Sequence, residues 1–328
     1  MKKLILSVTI VTILFNGCRQ SGQNNNSNDI NMEKSSTLRL IYPQWQGGII
    51  TSLVTEVPAD DASRGYYLGS HLLDFLAPQN GQKSIEVPVS LDVNDRAVKN
   101  GINAYDALLK QTQSALEILN EHTPERIITL GGDCSVSVVP FTYMAAKYSD
   151  NIAVVWIDAH PDINVPGDAY EGYHAMALAA CFGKWDDEII RSLPAKIEPA
   201  KAIVVGLNEF DSGIDTRLEE WGVKSVTSAE TTDNSNTVLE WLKDTGASKV
   251  VIHFDLDVID PAEMISAVGV VPNGMKIEQT LRVIKDISAQ YDIVSLSVAE
   301  PMPRTAIKIK NILNRSEERR VGKECRSR

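Results

Sequence analysis

The chain has 328 residues, 43% of them apolar, with a formal net charge of −11 and an isoelectric point near 5.0. That length and apolar share suffice to bury a full core in one large domain or two ordinary ones, which excludes a chain disordered throughout. The acidic balance excludes a generalised phosphate-binding face, because nucleic-acid binders concentrate Lys and Arg on one side, so nucleic acid is not an expected partner.

Met1-Lys2-Lys3 precedes an apolar run over 4–15 that is too short to span a bilayer comfortably as a mature helix and reads as a secretory signal. Phe15-Asn16-Gly17-Cys18 then resembles a bacterial lipoprotein cleavage site, with a small residue before a cysteine that would be acylated. An ordinary signal peptide with a chance cysteine is the alternative. Residues 19–36 are rich in Asn, Ser, Gln and Gly and read as a tether without a core. The expectation is a signal over 1–17, a tether over 18–37, and an exported envelope lipoprotein whose membrane contact is a lipid anchor at Cys18. At the other end, 315–328 is a basic, almost core-free run that breaks the acidic character of what precedes it; it is read as a non-native tail, which leaves a domain over 38–314. Of the four cysteines only Cys134 and Cys181 fall in that domain, so no disulfide framework is expected, although an exported protein could pair those two.

Within the domain, short β-branched apolar runs alternate with amphipathic stretches. Strands are predicted over 38–42, 84–89, 126–130, 152–157, 202–206, 250–255 and 293–297, and helices over 66–76, 104–121, 136–148, 174–182, 216–221, 237–243 and 276–289. This is the pattern of one α/β domain with a parallel sheet covered on both faces, in which ligands gather beyond the carboxyl ends of the strands.

Polar clusters do stand at those ends. In Ile157-Asp158-Ala159-His160-Pro161-Asp162, period-two alternation lets Asp158, His160 and Asp162 point the same way as the strand runs out. In His253-Phe254-Asp255-Leu256-Asp257, two more same-face carboxylates follow an apolar strand. Burying neighbouring carboxylates without a cation is costly through desolvation and like-charge repulsion, so a metal is the natural neutraliser. Asp260 before Pro261 reads as a turn-shaping residue, and His253, inside the strand, as a satisfied core histidine. The third cluster, Gly131-Gly132-Asp133-Cys134-Ser135, allows a tight turn and a capped helix start but lacks the Lys-Ser/Thr ending of a phosphate loop.

In this order and spacing, the three segments resemble the arginase, agmatinase and formimidoylglutamase family of ureohydrolases over roughly 39–303. The resemblance implies a three-layer α/β/α sandwich around a mostly parallel sheet, a bridged pair of divalent ions that is manganese in the family, and assembly into trimers or hexamers. It implies one metal held by Cys134, Asp158, Asp162 and Asp255 and a second held by His160, Asp158, Asp255 and Asp257. The departure is Cys134, where the family usually has histidine; a thiolate is softer than imidazole and shifts preference towards zinc, iron, cobalt or nickel. Two cations sharing a water would lower its pKa towards neutrality and make a nucleophile for a guanidinium carbon. The resemblance also implies that Glu300 binds the guanidinium and His174 shuttles a proton, while Asn164 and Asp211 match positions that contact the α-carboxylate and lie near the α-amino group of arginine. L-Arginine, giving L-ornithine and urea, is the expected small guanidino substrate. Agmatine, a guanidino acid or formimidoylglutamate would keep the chemistry, and a surface lipoprotein that binds ligand or metal without turnover is the reading from another class.

Overall fold

Alternate residues of the central strands feed two separate cores, and that alternation sets the layers. The computed structural model describes residues 37–184, 186–208 and 212–324. The signal segment, Cys18 and nearly all of the tether lie outside the described residues. Eight strands form one sheet: β1 (Thr37–Tyr42), β2 (Lys83–Glu86), β3 (Arg126–Gly131), β4 (Ile152–Ile157), β5 (Ala202–Leu207), β6 (Lys224–Thr227), β7 (Lys249–Asp255) and β8 (Asp292–Ala299). Their order is β2-β1-β3-β8-β7-β4-β5-β6, and every pairing is parallel. Val154, Trp156 and Val251 face a core shared with the helices Tyr105–His122, Val138–Tyr148 and Ala177–Cys181. Ala153, Val155, Ile157, Ile252 and Phe254 face the other core, shared with the helices Asn236–Thr245 and Ile277–Ser288. The result is the expected three-layer α/β/α sandwich, in which both faces of a parallel sheet are covered.

The central strands fall where hydrophobic alternation predicts them. β6 escapes the pattern because it is a polar four-residue edge strand, and the short helices Ala59–Ser63 and Asp187–Ser192 escape it because neither spans two full turns. The helix Arg304–Glu324 runs through most of the segment read as a tail. Cys134 and Cys181 both carry free, buried thiols and are not paired.

For function, the decisive feature is the order in the middle of the sheet. β3, β8, β7 and β4 are consecutive neighbours. All three sequence clusters, together with Glu300, follow the carboxyl ends of these four strands, so segments up to 166 residues apart open onto one short stretch of the sheet edge.

Candidate metal centre

Beyond β3 the chain passes Gly132, where a Cβ would lie 1.7 Å from the Gln44 carbonyl oxygen; only glycine lets the two backbones close. Asp133 N donates to that same oxygen at 2.9 Å. The Asp133 carboxylate accepts from Ser135 N at 3.0 Å and Gly47 N at 2.9 Å, capping the short 3-10 turn Cys134–Ser137. Cys134 Sγ is thereby aimed at Asp255 Oδ2, 3.1 Å away, and Glu300 Oε1, 3.3 Å away.

Beyond β4, Asp158 accepts from Trp156 Nε1 at 3.0 Å and from His160 N at 2.7 Å. Beyond β7, Asp257 N donates to Asp255 Oδ1 at 2.6 Å, and Asp257 Oδ2 lies 3.0 Å from His160 Nδ1. Asp162 and Glu300 both adopt left-handed backbone, with φ of 48° and 60°. Such positions cost on the order of 1–3 kcal/mol each, and they concentrate where side chains must be aimed. Glu300 is held by its backbone N–H on Gly132 O at 2.7 Å. Its carboxylate accepts from Tyr66 Oη at 2.6 Å and lies 2.7 Å from His174 Nδ1, whose Nε2 in turn lies 2.6 Å from Tyr170 Oη.

Four aspartates, a glutamate and a thiol are thus buried together. Burial first, then neighbouring acids, push the Asp162 and Asp255 carboxyls well above the usual range, and Asp257 up to about 7. Burial also raises the Cys134 thiol well above its ordinary value, with Asp162 and Glu300 adding to it. Burial works the same way on Asp158 and Glu300 but is outweighed, by His160 and His253 for the first and by His174 for the second, so both stay ionised. At His174 burial opposes protonation, and Tyr170 and Glu300 outweigh it. A cluster that can keep only some of its acids ionised is what a cation would relieve. Two buried atoms here, Asp162 Oδ2 and His253 Nε2, lack any hydrogen-bond partner. Donor atoms of Cys134, Asp158, Asp162 and His253 all lie within 4.8 Å of one another, as do those of Asp158, His160 and Asp257. The residues therefore fit a divalent pair: hard oxygen donors, imidazole and one sulfur, with ligand atoms unsatisfied in its absence.

All six residues expected to ligate metal come together, with Cys134, His160, Asp162 and Asp257 lining a cavity of ≈ 550 Å³. His174, Glu300 and Asn164 line the same cavity, and Asp211 lies outside the described residues. Asp260 shapes its turn as expected, accepting from Ala262 N at 2.9 Å. One expectation is corrected. His253 is a buried strand histidine, but its Nε2 is unsatisfied and stands among the ligand atoms. The signal was present, because the alternation that puts Asp255 and Asp257 on one face puts His253 there too. Tyr66 and Tyr170, which hold Glu300 and His174, carried no such signal, since only the tertiary fold brings them in.

A model of the arginase family matches residues 72–313 of the chain. An arginase of Entamoeba histolytica is 26% identical over 255 residues, covering 74% of this chain and 84% of the relative. An N(omega)-hydroxy-L-arginine amidinohydrolase of Streptomyces lavendulae is 30% identical over 203 residues, covering 60% and 70%. Among solved structures, the Entamoeba histolytica arginase in complex with L-ornithine superposes with a TM-score of 0.67 at 20% identity, over 84% of this chain and 95% of that one. With this fold and this match over most of its length, the chain belongs to the arginase family, binuclear metal-dependent hydrolases that act on guanidino and amidine C–N bonds.

Proposed function

We propose that the chain hydrolyses L-arginine to L-ornithine and urea, using Cys134, Asp158, His160, Asp162, Asp255 and Asp257 to hold two divalent ions. The observation that carries this reading is that four of those ligands, Cys134, His160, Asp162 and Asp257, line one cavity with an ionised Glu300, His174 and Asn164, while no Lys or Arg lies in its described wall. Acids and the absence of basic residues suit a cationic head group and disfavour a substrate with two carboxylates, such as formimidoylglutamate. When bound, the ion pair supplies a hydrolytic water at neutral pH by lowering its pKa from ~15.7 to around 7.

The chain's own residues do the rest. Glu300, fixed by Tyr66 and by its backbone bond to Gly132, offers its carboxylate to the planar guanidinium. His174 carries a proton between Glu300 and Tyr170 and can release it to the departing amine. Ile50, Leu53, Val268 and Val270 give the cavity an apolar wall for the methylene stem. Asn164, in the wall of the same cavity, would offer its amide to the α-carboxylate, which agmatine lacks. Cys134 shifts the metal preference from manganese towards zinc, iron, cobalt or nickel. The same protein, we infer, is exported and anchored through Cys18; the support is the leader-like segment and the tether behind it. Loss of lipid labelling in Cys18→Ser is the expected result, and equal labelling of the variant would refute the anchor.

The test of substrate is product analysis with arginine, agmatine and formimidoylglutamate, on protein loaded separately with each of the five metals. Urea with ornithine from arginine is expected. Urea from agmatine alone, or formamide from formimidoylglutamate, reassigns the substrate; no turnover with two ions bound removes the enzymatic reading.

A further inference from the structure

We propose that His253 Nε2 is itself a metal ligand, completing the site formed by Cys134, Asp158 and Asp162, an inference that rests on the metal-centre reading above. The imidazole that the family resemblance places at position 134 would then be present after all, supplied from β7.

His253 is completely buried, yet Nε2 has no hydrogen-bond partner, an exception that calls for an explanation in a folded protein. Two carboxylate oxygens face it, Asp158 Oδ2 at 3.6 Å and Asp255 Oδ2 at 4.0 Å. Those separations are too long for hydrogen bonds. They match two donors on a common ion: ligand bonds of about 2.1 Å at a tetrahedral angle place donor atoms roughly 3.4 Å apart. The other side of the ring is fixed. Nδ1 lies 2.7 Å from Ser137 Oγ, and with Nδ1–H donating to that oxygen, Nε2 presents its lone pair to the carboxylates. The ring stacks on Trp156 at 3.7 Å between centroids and 11° between planes, and Trp156 and His253 are register partners on β4 and β7. An imidazole packed only for its bulk has no need of a clamped Nδ1 and an empty Nε2 directed into a carboxylate cluster. With Asp255, the resulting donor set is one sulfur, one nitrogen and three carboxylates, and its sulfur and nitrogen are donors that zinc, cobalt or iron accepts more readily than manganese.

The experiment loads the whole protein with cobalt, whose near-ultraviolet thiolate charge-transfer band marks the ion at Cys134 and so reads this site apart from its neighbour. His253→Asn should keep the fold in the metal-free state and weaken that ion's affinity, measured by chelator competition, by at least about 10-fold, with a changed visible cobalt spectrum. Unchanged affinity and spectrum would overturn the proposal. Should the variant fail to fold, a structure of the zinc-loaded wild-type protein decides: Nε2 at about 2.0–2.1 Å from zinc supports it, and a ring turned away from the ion refutes it. A wild-type protein that binds only the thiolate-marked ion, with His253 on it, would sink the two-metal reading while sustaining this one.

Discussion

Removing the metals should make stability fall as pH rises from 6 to 8, and returning them should abolish that fall. In the metal-free fold burial holds the Asp257 carboxyl up at about 7, whereas an unfolded aspartate sits near its ordinary value of 3.8. The folded state therefore keeps a proton that the unfolded chain has released. Stability from this group is full below the unfolded value and is lost as pH climbs through about 7. Between pH 6 and 8 that loss is about 1.4 kcal/mol, because the slope of ~1.36 kcal/mol per pH unit fades as pH passes the folded value. Asp162 and Asp255, whose carboxyls burial holds well above the usual carboxylate range, act in the same direction, as do His160 and His174, whose folded forms hold their protons above the ordinary histidine value. His253, depressed by burial, acts oppositely until pH has passed through the ordinary histidine value of 6.5, and so offsets part of the loss at the pH 6 end. At roughly 2–4 °C per kcal/mol for a domain of this size, metal-free protein should melt at least about 3 °C lower at pH 8 than at pH 6. Loaded protein holds these carboxylates deprotonated at both values, so metal-induced stabilisation should be larger at pH 8. Thermal unfolding of both forms at the two pH values is the assay. Equal increments, or metal-free protein that gains stability towards pH 8, would refute the reasoning.

Three substitutions probe other parts of the account. Glu300→Gln keeps the shape but removes the charge offered to the guanidinium; kcat/KM should fall roughly 10²–10³-fold with both metals retained, and steady-state kinetics with metal analysis checks it. Cys134→His replaces a soft donor with a borderline one, so the ratio of manganese to zinc affinity in competition titrations should rise. Gly132→Ala places a methyl against the Gln44 carbonyl at 1.7 Å and must displace the Cys134 turn; a loss of about 1–3 kcal/mol or more in denaturant unfolding is expected, together with loss of metal.

Much of this site was legible in the sequence because strands impose a strict alternation. Asp158, His160 and Asp162, and again Asp255 and Asp257, reach one sheet edge for the same reason that Val155 and Ile157 reach a core. The same rule applied to His253 would have placed it with the acids, and only the habit of reading an in-strand histidine as core obscured it. The links from Tyr66 to Glu300 and from Tyr170 to His174 were not readable, because they depend on which strands become neighbours and on how the loop before His174 folds. Nor could the left-handed backbone at Asp162 and Glu300 be foreseen, since neither is a glycine and the conformation is imposed by contacts around it, such as the Glu300 N–H bond to Gly132 O. The resemblance to ureohydrolases carried the roles of Glu300 and His174, which residue spacing alone does not distinguish from a turn acid and a helix-opening histidine.

The central claim is a two-ion hydrolytic centre built on these strand ends, and its most direct test titrates metal-free protein with manganese and then zinc while bound ions per chain and urea from L-arginine are followed in one sample. The account predicts that urea release appears only as the second ion binds. Full urea release in the presence of chelator with no ion bound, or saturation at a single ion, would contradict it.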